Sequence, residues 1–103
     1  MYSDGWAAKG WTSDPRTPLH DGVDYRFWRD EHGDVAGIGI DFEWANDVHY
    51  ELTGPAFRRL LARLDVDDGQ GFHDPLKRVT RYYHTLEEVL RDNDIPFKKT
   101  AFR

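Results

Sequence analysis

The sequence predicts an α+β domain in the order βββααβ: an antiparallel sheet of three to four strands with two helices packed on one face. Three observations predict it. Residues 23–52 contain three runs in which apolar residues alternate at period two, separated by turn-forming residues. Residues 55–90 carry apolar residues at steps of three and four, the period of a helix. The third is bulk: 103 residues, 39% hydrophobic and 15% aromatic, supply side chains for one core, and a chain of this length removes roughly two-thirds of its unfolded surface from water in a single domain.

Residues 1–20 hold Gly5, Gly10, Pro15 and Pro18 without periodicity and are expected to form an irregular N-terminal arm, with residues 21–103 as the α+β domain. Within the arm, Trp6 and Trp11 each follow a glycine, where no regular element accounts for their burial. The run "VDYRFWR" at 23–29 alternates, setting Val23, Tyr25 and Phe27 on one face and Asp24, Arg26 and Trp28 on the other. "DEHG" follows as turn chemistry, with Gly33 suited to a positive φ, and "VAGIGIDF" at 35–42 turns Ala36, Ile38, Ile40 and Phe42 inward. After a second turn around "EWAND", "VHYEL" at 48–52 directs Val48, Tyr50 and Leu52 inward, and His49 and Glu51 outward.

Thr53 or Gly54 at the cap and Pro55 in the first turn start a helix whose stripe is Phe57, Leu60, Leu61 and Leu64, with Arg58, Arg59 and Arg63 behind it. Beyond the polar stretch "DVDDGQGFH", Asp74 as cap and Pro75 predict a second helix with Leu76, Val79, Tyr83, Leu86 and Leu90 inward. Thr85 and Glu88 match a capping box, which allows a break at 84–85, but the continuous apolar stripe favours one helix. "IPFKKTAFR" closes the chain as a strand that Pro96 confines to an edge or a strand start.

Matching inward faces pairs Tyr25 with Ile38 and Ile40 with Tyr50. Arg26 then lies opposite Gly37, Asp24 opposite Gly39 and Glu51, and Asp41 opposite His49. Asp24, Arg26, Asp41, His49 and Glu51 would surround two glycines on an outer face that is solvated, a flat binding surface, or a carboxylate–imidazole site for a divalent cation or catalysis.

Composition removes several chemistries. With no cysteine there is no disulfide, thiolate nucleophile or Cys-based metal site. The histidines at 20, 32, 49, 73 and 84 form no local metal-ligand spacing, "DVDDGQG" lacks the glutamate that would complete a calcium loop, and neither a phosphate-binding glycine loop nor a Gly-x-Ser-x-Gly elbow occurs. No cofactor, metal or catalytic residue is assigned. No run approaches the roughly 20 apolar residues of a membrane span, and the N-terminus lacks the order of a signal peptide, so a cytoplasmic location without membrane contact is expected.

The net charge of −5 is unevenly spread: residues 1–53 hold eleven acids against four bases, residues 54–103 eight against ten. An acidic front favours capture of a cationic partner. The expectation is a small acidic stoichiometric binding protein of bacterial or phage origin, an inhibitor or immunity-type protein that occludes a basic surface of a toxin or a nucleic-acid-processing complex. Its partner residues would be Asp24, Arg26, Trp28, Asp41, Glu43, His49 and Glu51, with Trp6 and Trp11 as either structural pins or partner anchors. Two other readings compete. The arginine-rich helices, including a polar stripe of Lys77, Arg81, His84, Glu88 and Arg91, suit a nucleic-acid-binding accessory domain, although the acids beside them weigh against nucleic acid as the partner. His49 with Asp41 or Glu51 has the residue types for a small hydrolase or isomerase.

Overall fold

The computed structural model describes residues 6, 8–43, 48–66 and 71–101. They form a small α+β domain with a radius of gyration of 12.8 Å, built from a six-stranded antiparallel sheet and three helices. Among the described residues no helix is long and apolar enough to cross a membrane.

The strands are β1 (Thr12–Ser13), β2 (Thr17–His20), β3 (Val23–Arg29), β4 (Val35–Phe42), β5 (Val48–Thr53) and β6 (Lys98–Ala101); the helices are α1 (Gly54–Arg63), α2 (His73–Val79) and α3 (Tyr83–Asp92). The order across the sheet is β1-β3-β4-β5-β6, with β2 also on β3. The sheet is thus larger than the expected three to four strands, and the order departs from βββααβ. The arm supplies the two extra strands, with Thr12 and Ser13 beside Arg29 and Trp28, and Thr17 and Pro18 beside Tyr25 and Asp24. Two-residue pieces and a strand carrying Pro18 leave no period-two signature, which is why the pattern read as irregular.

The three central strands lie where alternation put them. Ile38, Ile40, Tyr50 and Leu52 are fully buried and meet Leu60, Leu76, Leu86 and Leu90 from the helices in one core. The β4–β5 register is the expected one, Ile40 with Tyr50 and Asp41 with His49. The β3–β4 register is shifted by two: Tyr25 pairs with Ile40, Arg26 with Gly39, and Trp28 with Gly37. Its cause lies in the turn. Asp30 Oδ1 accepts from His32 N and Asp34 N, and Asp30 N donates to Asp34 O, which closes a hairpin that sets Arg29 against Val35. Continued unchanged, that register would put Tyr25 opposite Gly39 and mismatch the two inner faces. A bulge between Trp28 and Arg29 restores the match.

Helix α1 starts as expected, with Thr53 Oγ1 accepting from Ala56 N and proline in the first turn. The second helical segment departs from expectation: it is two helices, not one, and Phe72 rather than Asp74 precedes the first. The break follows Thr80 and comes before the capping box at Thr85. Thr80 is fully buried and its Oγ1 donates back to Leu76 O at 2.8 Å. Its carbonyl accepts from His20 Nε2 at 2.9 Å, a bond reaching across from β2. A carbonyl engaged by a side chain from another strand is diverted from the helical ladder; Tyr82 turns extended (φ −132°, ψ 149°), and α3 begins anew. The apolar stripe survives because Leu76, Leu86 and Leu90 all reach the same core. The polar stripe does not stay on one continuous helix.

Candidate functional site

The outer sheet face is neither solvated nor flat. Successive residues of β3, β4 and β5 that point away from the helices form three rows: Trp28–Gly37–Thr53, Arg26–Gly39–Glu51 and Asp24–Asp41–His49. The two glycines leave hollows, and both are filled. A Cβ on Gly37 would stand 2.7 Å from Trp6 Cη2 and 2.8 Å from Leu52 O; one on Gly39 would stand 2.9 Å from His49 Cε1. Trp6 therefore rests on Gly37, and the His49 ring rests on Gly39. Neither close approach tolerates a side chain on the glycine.

Trp6 joins Trp11 at a ring separation of 5.3 Å and Trp28 at 5.7 Å, the second edge-on. Lys9 lies over Trp11 and the Arg26 guanidinium lies 5.3 Å from the Trp28 ring. Trp6 thus pins the arm to the sheet and Trp11 packs on Trp6, with both residues still partly exposed. Trp28 is only 6% exposed, and its Nε1 has no hydrogen-bond acceptor among the described residues.

Beside this cluster, next to Gly39 and Trp28, lies a buried ionic triad. His49, 1% exposed, bonds Asp41 Oδ1 through Nδ1 at 2.5 Å and Glu51 Oε2 through Nε2 at 3.1 Å. A carboxylate accepts, so two carboxylate partners require a proton on each ring nitrogen, which is the imidazolium form. Burial alone would lower the His49 pKa, but the bonds to Asp41 and Glu51 outweigh it and hold the pKa above the ordinary value. Asp41 shows the counterpart: burial would raise its pKa, yet the His49 bond and charge hold it below the carboxylate range. Arg16 and Arg26 add positive potential toward Asp41.

The triad has the residue types of acid–base chemistry, but both ring nitrogens are occupied and the ring does not reach solvent. A substrate has no free nitrogen to meet there. Among the described residues no group of His, Cys, Asp and Glu has an arrangement that could hold a metal ion. In this triad the histidine sits between the acids instead of beside them.

Where the face meets solvent it turns acidic. Arg16 is shared by Asp24 Oδ2 at 3.9 Å, Asp41 Oδ2 at 4.0 Å and Glu43 Oε1 at 3.3 Å, with the Glu43 side chain 54% exposed. Asp24 and Asp41 are cross-strand neighbours. Burial, then the nearby acids, push the Asp24 pKa above the ordinary range despite Arg16.

The nine residues singled out in the sequence therefore divide. Trp28, Asp41, His49 and Glu51 are buried, a correction to their expected exposure; Trp6, Trp11, Asp24, Arg26 and Glu43 keep contact with solvent. The expected neighbourhood of Asp24 with Gly39 and Glu51 is replaced by Asp24 with Asp41 and His49. Arg16 was missed, because a lone arginine between prolines in an aperiodic arm carries no pattern. Trp44 and the acid-rich residues 67–70 lie outside the described residues. On the helix side, Arg59 donates to Asn93 O and Arg91 to Glu87, so part of the basic surface is engaged internally. Comparison with protein-family models, curated proteins and solved structures finds no match.

Proposed function

We propose that this chain is a small acidic stoichiometric binding protein, an inhibitor or immunity-type protein of bacterial or phage origin, acting in the cytoplasm on a basic surface of a toxin or a nucleic-acid-processing complex. The observation that carries the reading is the convergence of Asp24, Asp41 and Glu43 on the single guanidinium of Arg16, which leaves a surplus of negative charge where the arm meets the sheet. The partner surface is the arm and this rim: Trp6 and Trp11 as partly exposed apolar area, Glu43 and Asp24 as charge, and the partly exposed Arg26. Trp28, Asp41, His49 and Glu51 serve from below by fixing the arm in one position, so that binding meets a preorganised surface.

The test is capture from the native host followed by association kinetics on the captured partner. Glu43→Lys, at a half-exposed carboxylate, is expected to leave the thermal midpoint nearly unchanged, since exposed pairs contribute about 0–1 kcal/mol. It should slow association severalfold at low salt, with the difference fading at high salt. Trp11→Ala should act through dissociation and independently of salt. A captured partner whose kinetics ignore both changes would refute this surface.

A further inference from the structure

A second constellation lies where the end of β2 meets the junction of α2 and α3. His20, Lys77, Arg78 and Arg81 line one open depression. Among the described residues Lys77, Arg78 and Arg81 have no carboxylate partner, as is also true of Lys9, Arg58, Arg59, Arg63 and Lys98, whereas Arg16, Arg29, Arg91 and Lys99 each have one; what distinguishes the three is that they share a depression with His20. Two of the three sit in the last turn of α2, where cations complement the helix dipole. That explanation does not reach Arg81, beyond the helix, or His20, which comes from β2 and is tied to the junction through Thr80 O.

An adjoining depression shares His20 and Arg81 and continues to Asp21, Gly22 and Tyr82. Its chemistry differs. Asp21 repels a second anionic group but accepts hydrogen bonds from hydroxyl or amino groups. At its rim lie Tyr82, 47% exposed, and His84, whose rings stack 5.4 Å apart and 8° from parallel. One end of the double depression therefore suits a phosphate held by guanidinium and ammonium donors, and the other a ring with hydrogen-bond donors.

We propose that this double depression binds a small phosphomonoester bearing a ring and hydroxyl groups, of the nucleoside monophosphate class. The phosphate lies against Lys77, Arg78 and Arg81, and the base or sugar lies toward Tyr82 and Asp21. The site adjoins the acidic rim, since Glu43 N donates to Gly22 O at 2.8 Å, but it shares no lining side chain with that rim and does not rest on the partner-binding reading. The presence of Asp21 and the absence of a continuous basic stripe favour one nucleotide over a strand.

The experiment is a titration of the full chain, followed by amide NMR, with adenosine monophosphate, inorganic phosphate, adenosine and a single-stranded ten-nucleotide DNA as separate probes. The expected result is saturable binding of adenosine monophosphate with shifts centred on residues 20–22 and 77–84, weaker binding of phosphate and none of adenosine. Arg81→Ala should weaken binding by about tenfold, the loss of one charge-assisted contact, and Arg63→Ala should not change it. A folded Arg81→Ala spectrum away from the site keeps the comparison valid, and Arg78→Ala provides the second reading if it does not fold. No saturable shift at the site with millimolar adenosine monophosphate overturns the proposal, as does equal weakening by Arg63→Ala. Much tighter binding of the ten-nucleotide strand than of the mononucleotide would overturn it in favour of a nucleic-acid surface.

Discussion

Gly37 and Gly39 determine what the outer face can be. A methyl at Gly37 meets both Trp6 and the Leu52 carbonyl, and the carbonyl cannot move aside as a side chain can. Gly37→Ala is therefore expected to cost about 1–3 kcal/mol and to release Trp6, seen as a red shift of tryptophan emission under native conditions. Unchanged stability and emission would show that Trp6 does not rest there. Asp24 gives a residue-scale prediction of opposite sign. Its raised pKa means that the ionised form is disfavoured in the fold, so Asp24→Asn should raise the thermal midpoint at pH 7, and the gain should vanish as both forms become neutral in acid. A midpoint that falls at pH 7 would contradict the burial argument. The sequence showed these glycines and acids to be on one face, because alternation is a local property. It did not show that the face is covered: the Trp6 contact joins positions distant in sequence, and no period in either segment encodes it.

At the scale of elements, β3, β4, β5 and α1 were legible because period, turn residues and the Thr53 cap agree with one another. The α2–α3 break was not, since its cause is His20, a residue 60 positions away from Thr80. His20→Ala leaves the Thr80 carbonyl without that donor in a buried setting, and a loss of about 1–3 kcal/mol is expected in denaturant unfolding. Leu86→Ala, in the core beside that junction, should cost about 2–5 kcal/mol by cavity formation, while Glu88→Ala on the exposed side stays within about 0.5 kcal/mol. A sensitive Glu88 and a silent Leu86 would reverse the helix phase. The middle of α3 is fastened by polar contacts: Glu87 accepts from Tyr50 Oη, Lys99 Nζ and Arg91 Nε, and these hydrogen bonds, that of Lys99 first, hold its pKa down at about 2.

Across the whole molecule, the charge asymmetry seen in the sequence becomes a division of faces. The arm and outer sheet gather Asp24, Asp41 and Glu43 on Arg16; the β2 and α2–α3 side holds Lys77, Arg78 and Arg81, which have no carboxylate partner among the described residues. The sheet has helices on one face and a tryptophan-bearing arm on the other, so its interior is double: an aliphatic and aromatic core on one side, and an ionic triad beside Trp28 on the other. A buried triad of this kind specifies one arrangement more than it adds stability, because removing any member strands the charge of the rest. The buried triad also makes stability depend on pH in a stated direction. The raised pKa of His49 gives a contribution present in full below about 6.5, the unfolded value, and lost as pH rises through the folded one. The lowered pKa of Asp41 gives a contribution present in full above about 3.9 and lost as pH falls through its folded value. From these two groups together, the stabilising contribution is greatest between about pH 4 and 6.5 and declines on the alkaline side, and His49→Gln should remove that decline.

The claim on which the rest depends is that His49 is a buried imidazolium held between Asp41 and Glu51 on the outer face of the sheet. The direct measurement is the nitrogen chemical shift of the His49 ring, followed by NMR as pH is raised through neutrality. The account predicts that both ring nitrogens are protonated at pH 7, with slow exchange of their protons and a transition displaced above the ordinary histidine range. A ring that is neutral at pH 7, or that titrates with rapid proton exchange at or below about 6.5, would contradict it.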